Sequence, residues 1–71
     1  MTEQRHVNEL GSAIREARIA NGWTQTELGG RSDVSRPTIA RAEAGQDIST
    51  ATLAKIARAL GLTVGLEARR D

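Results

Sequence analysis

The fold is decided by residues 21–43, which read NGWTQTELGGRSDVSRPTIARAE. Thr24 is a helix N-cap, and Glu27 three positions later completes a capping box for a short helix that follows it. Asp33 lies in a turn, and Asp is one of the few residues besides glycine that tolerate a positive φ. Ser35 caps a second short helix. The stretch therefore predicts two helices joined by a tight turn, the layout of a helix-turn-helix unit.

The second helix of this unit, from Arg36 to about Ala44, carries polar residues while its one large aliphatic residue, Ile39, points inward. A helix with this pattern can lie in the major groove of DNA. Arg36 and Arg41 are the best candidates for reading bases, because the guanidinium fork matches O6 and N7 of guanine. The two arginines are about 140° apart around the helix and do not lie on one line, but both can edge the outward side, Arg36 at the helix start and Arg41 a turn later. The alternative for each arginine is that it contacts only a phosphate or makes no contact with DNA.

Smaller side chains near the helix starts are also candidates for DNA contact. Pro37 and Thr38 offer apolar contact to a thymine methyl group, and Ala40 permits close approach to a base edge. Thr24 and Ser35 are caps first, but exposed backbone N–H groups at helix starts also hold phosphates. The complete predicted DNA-contact set is Thr24, Gln25, Arg31, Ser35, Arg36, Pro37, Thr38, Ala40 and Arg41.

Three residues around this unit have competing structural interpretations. Trp23, the one aromatic residue, is expected to pack in the core or against the next helix rather than to stack on a base. Glu43 is expected to form an ion pair or a cap, with Arg36 or an arginine of the first helix. Arg31 can reach a phosphate from the end of its helix or remain a free surface residue.

Two further helices are predicted at residues 7–20 and 50–60, the second of them capped by Ser49. In the first, Leu10, Ile14 and Ala17 recur at i, i+4 and i+7 and make one apolar stripe. The second has the clearest apolar stripe of the chain. That stripe consists of Leu53, Ile56, Ala57 and Leu60.

Glycines interrupt the helical pattern. Gly22 and Gly61 follow helices and can end them in the left-handed cap conformation. Gly11 and the pair Gly29-Gly30 lie inside predicted helices, which they weaken. Two adjacent glycines inside a helix are expected if the backbone of another segment approaches them closely, as it does where two short helices cross.

Residues 62–67, LTVGLE, alternate in the period of a half-buried strand. A single strand cannot satisfy its backbone hydrogen bonds, so the simplest partner is the same strand of a second copy across a two-fold axis. Leu62, Val64 and Leu66 would then form the dimerisation surface. A strand from another protein or a short extended tail packed on the helices is the alternative. Residues 68–71 are a tail.

Size and composition limit the possible functions. A chain of 71 residues forms at most one domain, and dimerisation is the expected way to add buried area. There is no cysteine, and His6 alone cannot build a metal site, so no cofactor or metal is expected. No apolar run approaches the ~20 residues of a membrane span, and the polar residues 1–6, a frayed tail, carry no signal-peptide core. We therefore expect a cytoplasmic protein that is not an enzyme.

The ordered pattern as a whole resembles the Cro/C1-type (Xre-family) helix-turn-helix domain over roughly residues 7–62. This resemblance implies an all-α, four-helix, lambda-repressor-like domain that binds DNA, with the C-terminal strand pairing across a homodimer. A dimer of such domains would recognise an inverted-repeat operator. The matching residues are Thr24-Gln25-x-Glu27-Leu28, Val34-Ser35-Arg36-x-Thr38-Ile39-x-Arg41-x-Glu43-x-Gly45 and Thr52-Leu53-x-Lys55-Ile56-Ala57-x-Ala59-Leu60-Gly61-Leu62.

A narrower similarity, in residues 21–25 and 60–67, is to HipB-like antitoxins. These are small dimeric repressors whose C-terminal strands pair, which bind the kinase-like toxin HipA and repress their own operon. The resemblance implies the same role and a HipA-like kinase partner here. The chain departs from the family at Gly29, where Ala is usual, at Asp33, where Gly is usual, and at Pro37, whose contact to DNA can only be apolar. A regulator without a toxin, and a protein-interaction module that does not bind DNA, are the alternatives.

Overall fold

The computed structural model of the protein describes residues 2–62, with side chains from residue 9 onward. Over this range the chain is all-helical and contains no strand, so the expected four-helix domain is confirmed. The part of the predicted pairing strand that follows Leu62 lies outside the described residues. The helices are α1 (Thr2–Ala20), α2 (Gln25–Ser32), α3 (Arg36–Glu43) and α4 (Thr50–Leu60).

Each of the three later helices begins at the hydroxyl residue that the sequence predicted as its cap. The Thr24 side chain accepts a hydrogen bond from the backbone N–H of Glu27, and the Glu27 carboxylate accepts one from the Thr24 N–H, so the capping box is formed. Ser35 and Ser49 cap α3 and α4 in the same way, each accepting from the N–H three residues on. These caps satisfy backbone donors that have no partner within the helix.

The helices end in left-handed residues. Gly22, Gly45 and Gly61 have φ of 76°, 82° and 73°, and Asp33 after α2 has φ of 61°. After α4, the Leu62 N–H donates to the Ala57 carbonyl at 2.8 Å, a bond that closes the last turn. The ends of the helices are thus close to where the sequence placed them, with Ser32 still inside α2 and Ala44 as the cap of α3.

The core forms where the helices cross. α1 and α2 each pack against both α3 and α4, whereas α3 and α4 make few contacts with each other. Leu28, Ile39 and Ile56 are completely buried at the centre, one each from α2, α3 and α4. Ile14 of α1 joins them at 2% exposure. Burying aliphatic side chains of this size stabilises a domain by about 1.5–3 kcal/mol each, which makes this cluster the main apolar contribution.

The structure corrects the sequence analysis at the start of the chain. α1 begins at Thr2, so residues 2–6 are helical rather than a frayed tail. Glu, Gln and Arg, which occupy positions 3–5, are good helix formers, and no proline or glycine interrupts them. The helix can therefore extend beyond the part that packs on the core.

The apolar stripe of α1 is also rotated from its predicted position. Leu10 is 44% exposed, although the spacing predicted that it would be buried. Gly11 is buried instead, because a Cβ built on it would lie 2.5 Å from the Glu43 carbonyl oxygen and 2.8 Å from that of Ala42. The inward side of α1 is therefore Gly11, Ile14 and, half-buried, Ala17 and Arg18. At Gly11, α1 and the end of α3 approach too closely for a side chain.

Candidate nucleic-acid interface

The turn between α2 and α3 fixes how α3 is presented. The Val34 N–H donates to the Gly29 carbonyl at 2.9 Å, which folds the chain back onto α2. A Cβ on Gly29 would lie 2.6 Å from the Val34 carbonyl oxygen, so the predicted close approach at this glycine is confirmed. Gly30 has nothing within 4 Å of its Cβ position and does not share that role. The chain can reverse here because Asp33 accepts the left-handed conformation.

A cluster of hydroxyl groups organises the first turn of α3. The Ser35 hydroxyl donates to the Thr38 hydroxyl at 2.9 Å, and the Arg41 guanidinium donates to the same Thr38 oxygen at 3.2 Å. Pro37 lies in this first turn, where its missing N–H costs no helical hydrogen bond. The side chains of the first turn are thus linked by hydrogen bonds, and the Arg41 guanidinium lies back along the helix toward Thr38.

The outward side of α3 follows from its buried side. Ile39 and Ala42 are buried, and a rotation of about 100° per residue places Pro37, Arg41 and Ala44 on the opposite side. Those three residues are exposed. The flanking residue Arg36 is exposed, and the flanking residue Ala40 is half-buried. We define the outward face of α3 as Arg36, Pro37, Ala40, Arg41 and Ala44.

Glu43 is the centre of a polar network that joins α1, α2 and α3. The Arg18 guanidinium donates to both Glu43 carboxylate oxygens, at 2.6 and 3.0 Å, and to the Trp23 carbonyl at 2.8 Å. Gln25 donates to the Glu43 carboxylate at 3.2 Å. The Arg18 and Glu43 side chains are only 12% and 6% exposed. The predicted ion pair of Glu43 is confirmed, and its partner is the arginine of the first helix.

The network determines the ionisation of Glu43. Burial alone would raise the pKa of this carboxyl group, but the hydrogen bonds from Arg18 and Gln25 and the nearby charges of Arg18 and Arg15 outweigh it. The pKa of Glu43 is therefore lowered. The hydrogen bond to Glu43 likewise raises the pKa of Arg18, against the effect of burial. The pair is charged at neutral pH and joins α1 to the end of α3, while the hydrogen bond from Gln25 joins the start of α2 to the same carboxylate.

The nine predicted contact residues fall into two groups. Ser35, Arg36, Pro37, Ala40 and Arg41 lie along α3 or at its start with surface exposed. Thr38, Thr24, Gln25 and Arg31 form the second group, in which each side chain contacts another part of the protein, although Thr24 and Arg31 are also exposed. Within the first group, Ser35 and Arg41 also hydrogen-bond to Thr38.

Arg31 illustrates that second group. It is exposed, but its guanidinium lies over the Trp23 ring, 4.4 Å from the ring centroid. Trp23 itself is half-buried and packs against the core cluster, as expected from the sequence. Of the dimerisation residues, Leu62 is 41% exposed, and Val64 and Leu66 lie outside the described residues.

Two features of this region were missed in the sequence. Ala44 was taken only as the end of its helix, although its separation of seven residues from Pro37 would have placed it on the same face. The spacing of α1 predicts that Arg15 and Arg18 both face solvent. Arg15 does, although its charge acts on Glu43, whereas Arg18 is half-buried against Glu43. Among the described residues, no three His, Asp or Glu side chains converge in a way that could hold a metal ion. No helix in that part of the chain is long and apolar enough to cross a membrane.

Comparison with known proteins agrees with this geometry. The family pattern HTH_3, described as helix-turn-helix, matches residues 14–66. The chain belongs to the Cro/C1-type (Xre) helix-turn-helix family. It is accordingly a DNA-binding regulator of the Xre type. No curated protein sequence matches it.

Solved structures of this family resemble the chain over most of its length. The restriction-modification controller protein C.AhdI from Aeromonas hydrophila is 30% identical, with a TM-score of 0.76 over 83% of this chain and 91% of that one. The clp gene regulator ClgR from C. glutamicum is 36% identical, with a TM-score of 0.73 over 82% and 76%. A chain of the HipA-HipB-O2-O3 complex is 31% identical, with a TM-score of 0.76 over 90% and 92%.

Proposed function

We propose that the protein is a homodimeric, sequence-specific transcriptional repressor that reads its operator with the outward face of α3. The observation that carries this proposal is the exposure of Arg36 and Arg41 on a helix whose opposite side, Ile39 and Ala42, is buried. Arginine recognises guanine through two parallel hydrogen bonds, and each such contact contributes about 1–3 kcal/mol of discrimination. Pro37 and the small residues Ala40 and Ala44 add apolar surface that can approach thymine methyl groups.

The starts of α2 and α3 supply the sequence-independent part of binding. Thr24 and Ser35 are exposed, and the backbone N–H groups of a helix start that the cap does not use can hold a phosphate. Gln25 has a second role, since its hydrogen bond to Glu43 braces α2 against α3. Contacts of this kind set the register of a protein on the duplex without reading its sequence.

Dimerisation is assigned to residues 62–67. Leu62 is exposed where the chain leaves α4, so its side chain is available to contact a second copy. Two copies paired through these strands would present two α3 helices to successive major grooves, about 34–36 Å apart. Val64→Asp or Leu66→Asp should therefore lower dimer content and DNA affinity together. Analytical ultracentrifugation measures the dimer content, and DNA titration measures the affinity. A variant that remained dimeric and bound DNA with unchanged affinity would exclude residues 62–67 as the dimer contact.

An antitoxin role is the more specific form of the proposal. It is supported by the resemblance of residues 21–25 and 60–67 to HipB-like antitoxins and by the similarity to a chain of the HipA-HipB-O2-O3 complex. The partner would be a HipA-like kinase, and the operator would lie upstream of the protein's own gene. A regulator without a toxin is the second candidate, favoured by the similarity to C.AhdI and ClgR, which are a controller protein and a gene regulator.

Selection of bound duplexes from a random pool, followed by sequencing, tests the DNA-binding part. The expected product is an inverted repeat whose half-sites are one helical turn apart. Recovery of unrelated sequences would contradict sequence-specific recognition. Co-expression with a HipA-like kinase tests the antitoxin part separately, because a stable complex is expected only if the chain is an antitoxin.

A further inference from the structure

A second charged surface lies between the end of α2 and the later half of α4. The groove there encloses about 470 Å³. Three of its lining residues are cations and one is an anion, in a chain whose net charge is only +1. We call it the α2–α4 groove, and it is lined by Arg31, Ser32, Asp33, Lys55, Arg58 and Ala59.

The charges of this groove are poorly neutralised by the protein. Lys55 lies 3.9 Å from the Asp33 carboxylate, but their side chains are 50% and 97% exposed. An ion pair this open contributes little and is easily displaced. Arg58 is exposed and forms no ion pair with any described residue. Two positive charges therefore remain after Asp33 is counted.

Arg31 is held in place before anything binds. Its guanidinium lies 4.4 Å from the centroid of the Trp23 ring, and Trp23 packs on the core cluster. A guanidinium stacked on a ring keeps its N–H edge available for hydrogen bonds. A side chain fixed in this way loses less conformational entropy when a ligand binds.

The α2–α4 groove is separate from the outward face of α3. α2 packs against both α3 and α4, while α3 and α4 make few contacts with each other. Lys55 and Arg58 are exposed on α4. None of the groove residues belongs to the outward face of α3, and Asp33 lies in the turn that precedes α3.

We propose that the α2–α4 groove is a docking site for an acidic segment of a partner protein. Two carboxylates of such a segment would bind Arg31 and Arg58 through charge-assisted hydrogen bonds, and one of them would replace Asp33 at Lys55. The excess positive charge selects an anionic occupant, and the concave shape and small volume suit a short peptide segment rather than the backbone of a second duplex. The domain can then hold DNA and a protein partner at the same time.

A fluorescein-labelled peptide of ten glutamates is a suitable probe, because it supplies the proposed chemistry without a known partner. Its affinity is measured by anisotropy for the full chain, for Lys55→Gln/Arg58→Gln and for a matched control, Arg36→Gln/Arg41→Gln. The groove variant should bind the peptide about tenfold more weakly, since two charged contacts are lost. The control should change peptide affinity by less than about twofold, as expected for residues outside the site.

DNA binding and a third variant make the test decisive. On operator DNA the result should be the opposite. The control variant, Arg36→Gln/Arg41→Gln, should lose affinity for DNA, and the groove variant, Lys55→Gln/Arg58→Gln, should keep it. Asp33→Asn removes the competing carboxylate and still tolerates a positive φ, so it should strengthen peptide binding. The proposal is overturned if the peptide does not bind, if both double variants lose it equally, or if the groove variant loses DNA as strongly as the control. Circular dichroism of each variant confirms that it is folded.

Discussion

At the scale of single residues, Glu43 links the stability of the domain to the position of α3. Its carboxylate accepts two hydrogen bonds from Arg18 and one from Gln25, at a site where the side chain is 6% exposed. A charge buried to this extent is tolerated because it is paired, and removing one partner leaves the other charge uncompensated. The same residue therefore holds the first three helices together.

Glu43→Gln should destabilise the protein by about 2–4 kcal/mol, because the Arg18 guanidinium would face an amide in place of a carboxylate. Urea unfolding followed by circular dichroism measures the change. Glu16→Gln, an exposed position on α1, is the matched control and should stay within about 0.5 kcal/mol. Equal effects of the two substitutions would show that the network contributes nothing specific.

The lowered pKa of Glu43 predicts a pH dependence of stability. In the folded protein the pKa of Glu43 lies below its ordinary value of 4.5. The stability that the ionised carboxylate contributes is therefore complete above pH 4.5, and it is lost as the pH falls through the folded pKa. The stability difference between the wild type and Glu43→Gln should therefore be constant near neutral pH and shrink below about 4.5. Unfolding curves at several pH values measure it, and a difference independent of pH would contradict the assignment.

At the scale of the helices, glycines in similar local settings have different roles. Gly11 in α1 packs against the carbonyl oxygens of Ala42 and Glu43, whereas Gly30 in α2 has open space at its Cβ position. Both lie inside helices without a positive φ. Helix propensity alone would favour alanine at either position by about 1 kcal/mol. The effect of an alanine substitution on stability is therefore set by packing at Gly11 and by helix propensity at Gly30.

Gly30→Ala should stabilise the protein by about 0.5–1 kcal/mol, and Gly11→Ala should destabilise it despite the same gain in propensity. The cost at Gly11 arises because two backbone oxygens within 2.8 Å must move, and overpacking of this kind costs about 1–3 kcal/mol. Thermal unfolding of the two variants checks the opposite signs. Stabilisation by both would mean that α1 and α3 can separate freely at Gly11.

The sequence predicted the later helices better than the first one. α2, α3 and α4 begin at Thr24, Ser35 and Ser49 because their capping signals are local, a hydroxyl followed by a partner three residues on. The rotation of α1 was wrong because Leu10 and Gly11 give no local sign of which one faces α3. That choice depends on how closely another helix approaches, which is a property of the tertiary structure.

At the scale of the whole molecule, the sequence predicted the kind of surface better than its internal contacts. The exposure of Arg36 and Arg41 follows from their spacing to Ile39, a single-helix property. The pairing of Glu43 with Arg18 joins residues 25 positions apart, so spacing left its partner open between Arg36 and an arginine of the first helix. The stacking of Arg31 on Trp23 was not predicted, since it depends on how α2 folds back over the preceding loop.

The charge distribution explains how a chain of net charge +1 can bind DNA. Acidic Glu43 is neutralised internally by Arg18, while Arg36 and Arg41 on the outward face of α3 form no ion pair with any described residue. The field at that face is therefore more positive than the total charge suggests. Binding should weaken steeply as salt is added, because each neutralised phosphate releases counterions.

The most direct test is an anisotropy titration of the DNA upstream of the protein's own gene at several salt concentrations. It compares the wild type with Arg36→Ala/Arg41→Ala and with the charge-matched control Lys55→Ala/Arg58→Ala, and includes a scrambled duplex. We predict tight binding to the upstream DNA alone, reduced at least about tenfold by the α3 variant and retained by the control. Equal losses in the two variants, or equal affinity for the scrambled duplex, would contradict recognition by the outward face of α3.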